Sequence, residues 1–206
     1  MAEKANKVKF NLKNTHYSLL TISENGTPTF GTPVPMPGSV SISLDANGEP
    51  ENFYADGGVY YVINNNCGYD GDLELALIPE SFRTDVLKET LDSKGVLIEN
   101  SEVELAAFAL LFEFDGDQKH IRHVLYNCSA SRPGIEGKTN EDSKEVQTEK
   151  LSLKAVPLAN GMVKAKTGNT TDATTYADWY KAVYVPAAEN DAATQSAAKP
   201  AKSVKE

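Results

Sequence analysis

The chain has only two cysteines and one tryptophan, no surplus of basic residues and no long apolar run. Two cysteines in 206 residues give neither a disulfide framework nor the paired spacing of a zinc site. With 29 acids against 20 bases and a formal charge of −9, it lacks the basic excess by which proteins hold nucleic acid through its phosphates. The longest apolar stretch, Leu105 to Phe112, is far short of the ~20 residues a membrane-spanning helix requires. The opening residues, MAEKANKVKF, carry charge without the apolar h-region of a signal peptide. These absences lead to the expectation of a soluble protein made in a reducing cytoplasm.

What is present suits one globular domain with tails, since 40% of the residues are hydrophobic. The expected division is a loose arm over 1–7, a domain over 8–186, and a disordered Ala/Lys/Ser tail over 187–206. Acid is unevenly placed: residues 45–104 hold 14 acids and 3 bases, whereas the rest is near balance. Such a stretch is most often a solvated face.

The strongest pattern is a long β-hairpin from Leu105 to Ala130. Phe108, Leu110, Phe112 and Phe114 recur at every second position, and Ala107, Ala109 and Leu111 fill the other face, which predicts a strand whose first half is covered on both sides. Asp115-Gly116 supplies the turn, and Val124, Tyr126, Cys128 and Ala130 are expected on one side of the return strand. Cys128 is thereby a core residue rather than a reactive thiol.

Val8, Phe10 and Leu12 alternate as a first strand, and the GTPVPMPG run is too proline-dense for a ladder. Val40, Ile42 and Leu44 form a strand whose returning side is expected at Tyr54 and Val59–Ile63. Leu73, Leu75 and Leu77 alternate against Asp72 and Glu74. Helical spacing of Phe82, Val86, Leu87 and Leu91 predicts one amphipathic helix over 80–93, begun at Pro79 and stopped at Gly95. Residues 131–147 show no hydrophobic period and carry both charges, the mark of a functional or disordered loop. Alternation resumes at Leu151, Leu153 and Ala155 and again over 162–167, and Thr175–Ala182 reads as a short helical turn. The fold class is mainly β: an antiparallel sandwich or partly rolled barrel with one flanking α-helix, a long loop and flexible termini.

Catalytic signals are poor. His120 and His123 have an HxxH spacing, but on a strand this separates them to opposite faces. Asp70, Asp72 and Glu74 superficially resemble a calcium loop, yet Leu75 stands where that loop needs glycine. Gly57-Gly58 lacks a phosphate cradle and its lysine, and the sequons at Asn25, Asn127 and Asn169 mean nothing without secretion. Tyr60, Tyr61 and Tyr69 would suit a sugar-stacking platform, or are ordinary strand aromatics. The expectation is a protein without catalytic, cofactor or metal residues, with a carbohydrate-binding or adhesion module as the alternative to a structural role.

Several runs resemble the major tail protein, or tail tube protein, of long non-contractile-tailed bacteriophages (siphophages) of Gram-positive hosts. They are VKFNLKN from Val8, TFGTPVPMPG from Thr29, FYADGGVYY from Phe53, GYDGDLELALIPESFRTD from Gly68, FALLFEFDGD from Phe108, RHVLYNCSASRPG from Arg122 and VKAKTG from Val163. The resemblance implies a virion protein, assembled in the host cytoplasm into stacked homohexameric rings. Its partners would be further copies of itself, a tape-measure protein, and terminator and distal tail proteins. Genomic DNA would pass through the lumen unbound, and no membrane insertion is implied. Two groups of residues suit these expectations. Arg132, Lys138, Glu141, Asp142 and Lys144 would form an assembly loop, and Asp72 and Glu74 would place negative charge on the lumen.

Overall fold

The computed structural model describes residues 5–140, 142 and 144–186. In chain order the strands are β1 (Lys9–Ile22), β2 (Pro28–Phe30), β3 (Val34–Pro35), β4 (Ser39–Asn47), β5 (Glu51–Ala55), β6 (Gly58–Ile63), β7 (Gly68–Leu75), β8 (Thr90–Leu91), β9 (Leu97–Ile98), β10 (Phe108–Gly116), β11 (Ile121–Ala130), β12 (Glu149–Ala155) and β13 (Lys164–Lys166). The helices are α1 (Glu80–Asp85) and α2 (Ala173–Asp178). Nine strands form one antiparallel sheet ordered β2-β1-β10-β11-β12-β7-β4, with β3 on β1 and β13 on β11. The sheet curls until β4 approaches β1 but does not close. Ser39 Oγ donates to Thr15 Oγ1 across this seam at 2.6 Å, and Met36 N donates to Thr15 O at 2.7 Å.

β10 and β11 are central because they are apolar on both faces. One face, with Phe108, Leu110, Phe112, Leu125 and Cys128, packs against Tyr17 and the inward leucines of β7 and β12, and Phe82 of α1 joins them. The other face, with Ala109, Leu111, Val124 and Tyr126, is covered by Leu158, Trp179 and Val183. The two-sided covering expected from the sequence is therefore observed. The return strand differs in one respect: Val124 and Tyr126 face one cluster, Cys128 and Ala130 the other. A register shift between Phe108–Cys128 and Leu110–Leu125 inserts one residue and reverses the alternation.

Three further expectations change. The single helix over 80–93 ends at Asp85, while the helical turn expected over Thr175–Ala182 forms as α2, two residues earlier than expected and ending at Asp178. Lys88 takes a left-handed backbone (φ 60), and Asp92 Oδ1 accepts from the amides of Lys94 and Val96 at 2.8 and 2.9 Å. This local turn, with Gly95 at φ 80, folds residues 90–98 into the small β8–β9 hairpin and leaves Leu91 half exposed. Leu77 also leaves the core, because β7 stops at Leu75. The GTPVPMPG run does join the ladder, at the edge of the sheet through the two residues of β3, where proline is tolerated.

β1 is much longer than Val8–Leu12, continuing to Ile22 past two bulges where Asn11 and Asn14 adopt φ 53 and 52. Before it, Asn6 is tied to the β10–β11 turn. Its side chain donates to Lys119 O at 2.7 Å and accepts from the Gln118 and Lys119 amides. The tail expected over 187–206 lies outside the described residues.

Candidate assembly surfaces

β4 pairs with β7 over its whole length, not with β6 as the sequence suggests. β5 and β6 instead extend this pairing outward, so residues 39–75 form one long hairpin with a break at Gly48 and Asn64–Cys67. The break is glycine-dependent: a Cβ on Gly48 would lie 2.7 Å from Asn65 O, and one on Gly68 1.8 Å from Ala155 O. The tip turns at Asp56-Gly57, at φ 52 and 79, the geometry of a two-residue hairpin loop. Among the described residues no layer covers this outer half. Phe53, Tyr54, Val59, Tyr60, Tyr61, Val62 and Ile63 are all exposed, Tyr60 to 72%. So dense an exposed apolar patch marks an interaction surface.

The hairpin's inner half carries Asp72 and Glu74 on the outer face of the sheet. Cross-strand rows run Ser41–Glu74–Lys150, Ser43–Asp72–Ser152 and Asp45–Asp70–Lys154. Lysines from β12 thus interleave with the acids. Glu74 accepts from Thr148 Oγ1 at 2.5 Å and Ser41 Oγ at 2.7 Å, and these bonds hold its carboxyl below the usual range. Asp72 accepts from Ser152 Oγ at 2.8 Å.

The loop after β11 is exposed, with Ile135 and Val146 standing free of the core. Arg132 pairs with Glu99 at 3.0 Å. Lys138 N donates to Gln147 Oε1 at 2.8 Å while Gln147 Nε2 donates to Lys138 O at 2.9 Å, closing the base of the loop. Asp142 and Lys144 are exposed beyond that clasp, and Glu141 lies outside the described residues.

The three tyrosines of the sugar-platform pattern are not brought together. Tyr60 and Tyr61 fall on opposite faces of β6, and Tyr69 belongs to a pocket of about 350 Å³ at one end of the rolled sheet. Its walls include Ile42, Leu44, Phe112 and Phe114, and it is edged by Lys9 and Lys164. Lys9 Nζ lies 4.6 Å over the Phe114 ring, and Lys164 Nζ lies 4.2 Å over Tyr69, whose hydroxyl it also contacts. His123 stacks flat on Phe112 at 5.1 Å. Burial, then the charges of Lys166, Lys9 and Lys164, push its pKa down to about 4. Sequence reasoning missed this pocket, because it gathers residues from six separate strands.

Also unforeseen is the buried carboxylate of Glu113, which accepts from Arg122 Nε at 3.0 Å, Tyr180 OH at 3.1 Å and Asn14 Nδ2 at 2.7 Å. With Arg122 lying 3.9 Å over the Tyr176 ring, this network fastens α2 and the segment after it to the central strands. His120 pairs with Asp115 at 2.7 Å, away from His123. Among the described residues no cluster of three or more His, Cys, Asp or Glu side chains is placed to hold a metal ion. Nor, among them, is any helix long and apolar enough to cross a membrane.

No protein-family model matches the chain, and no curated protein matches it in sequence. Among solved structures it is similar to the tube-terminating cap of the anti-feeding prophage, with 7% identity and a TM-score of 0.44 over 80% of this chain and 95% of that one. It is also similar to a chain of the six-fold symmetrised anti-feeding prophage baseplate, with 10% identity and a TM-score of 0.45 over 81% of this chain and 99% of that one. At these values neither likeness bears on function.

Proposed function

We propose that the chain is a phage tail structural protein and, more narrowly, a tail tube subunit that assembles into stacked homohexameric rings. The observation that carries this reading is the outer half of the long hairpin, whose apolar side chains have no cover among the described residues. A projecting strand pair with bare apolar faces is costly in a monomer, and burying it on a neighbour removes the cost. A contact between unlike surfaces of identical subunits closes into a ring when its rotation permits, and rings stack by repeating a second such contact.

The charge supports the same reading. A conduit for DNA must not hold DNA, and a chain at −9 repels phosphates. In this role the loop of Arg132, Lys138, Glu141, Asp142 and Lys144 meets a neighbouring subunit or ring. Asp72 and Glu74 face the lumen, and no residue is catalytic. Tape-measure, terminator and distal tail proteins are the partners, and the virion tail is the location. Negative-stain microscopy of the concentrated protein tests this: hollow tubes or rings are expected. A persistent monomer that binds glycans through Tyr60 or Tyr61 would replace the proposal with a carbohydrate-binding module.

A further inference from the structure

The pocket at the end of the rolled sheet lies beside a change of partner. β11 pairs through Cys128–Ala130 with β12 but through His123–Leu125 with β13. It opens there onto aromatic walls, with two lysines at its edge and no carboxylate among its described lining residues. Each lysine rests over an aromatic ring, and neither has a carboxylate partner among the described residues. In a chain with so large an acidic excess, a cationic pocket without acids selects for a ligand that is both apolar and anionic.

The β5–β6 hairpin has that chemistry. Phe53 opposes Tyr61 and Glu51 opposes Ile63, so the two-residue period places a carboxylate beside an aromatic pair on one face. All of β6, and all of β5 but Ala55, is exposed, so the hairpin does not occupy the pocket of its own chain. From Asn47 to Ala55 it extends about 26 Å at strand rise, long enough to reach into an adjoining subunit. We propose that the pocket receives the hairpin of a second copy, with Phe53 against the Phe112–Phe114 wall and Glu51 between Lys9 and Lys164. This rests on the self-assembly proposed above and names the pair of surfaces that would perform it.

The test reverses charge on each side. Lys9→Glu/Lys164→Glu and, separately, Glu51→Lys are each expected to weaken association at least about tenfold, read by sedimentation and by tube yield. The lysines and Glu51 are exposed, so circular dichroism should show the fold retained. The triple variant pairs a reversed hairpin with a reversed pocket at every contact, so tubes should return in it. Loss without rescue would overturn the pairing. Wild-type yield from the lysine variant would overturn it too, while leaving the tube reading intact. Unaltered protein that stays monomeric would overturn both. On the unaltered chain, 3-phenylpropionate should slow assembly. If it binds without slowing assembly, or does not bind, the hairpin is not the occupant.

Discussion

Phe112 lies where one face of the central strands meets the pocket. It packs into the core cluster, stacks on His123 and meets Phe114 edge-on at 5.6 Å. Phe112→Ala is expected to cost on the order of 3 kcal/mol, as for other emptied aromatic core sites. An unchanged denaturation midpoint would contradict this. His123 makes a second prediction at this scale. Its folded pKa of about 4 lies below the ordinary value of 6.5, so the unfolded chain binds the extra proton first. The stability this confers is complete above pH 6.5 and is lost as pH falls towards 4, by up to about 3 kcal/mol. Thermal midpoints measured across that window should fall more steeply for the wild type than for His123→Phe. Parallel curves would show that the imidazole is not protected.

Among the elements, those with a clean period were legible in the sequence. The Phe108–Phe114 alternation and the Leu151–Ala155 alternation both became strands, because one buried face fixes their register. The helix beyond Asp85 failed for a local reason: Asp92 and Gly95 offer a turn that satisfies the backbone within four residues, and three apolar positions at helical spacing do not outweigh it. The pairing of β4 with β7 was hidden because Val59–Ile63, which is apolar and nearer in sequence, looks like the natural partner. Its side chains remain uncovered, which a reading built on burial does not anticipate. The charged loop was visible as a loop, and its Lys138–Gln147 clasp was not. Replacing residues 139–146 by a tight turn at this clasp should leave the unfolding free energy within about 1 kcal/mol of wild type, since no described residue of the segment enters the core. The shortened protein should no longer polymerise; normal tubes from it would remove the loop from assembly.

For the whole molecule, the question is which way the hydroxyl-rich face of β4, β7 and β12 looks. Asp72 and Glu74 are held by Ser152, Thr148 and Ser41, and Lys150 and Lys154 lie in the same rows, so the face is polar throughout with a modest acidic excess. On the lumen it would form a smooth, weakly repelling wall. Asp72→Lys/Glu74→Lys should then assemble largely as wild type but slow DNA passage at low salt, with partial relief as screening rises. Tubes of this variant that deliver DNA normally at low salt would turn the face outward.

The long hairpin also decides how the subunit bears load. Its outer half continues directly into β4 and β7, and β7 is bonded along both edges, to β4 and to β12. A pull at the tip, along the strands, loads β4 and β7 together and meets the β7–β12 ladder in shear, where many hydrogen bonds must yield at once, instead of opening them singly as peeling does. Whatever the tip grips, tension reaches the core through the seven-residue seam between β7 and β12.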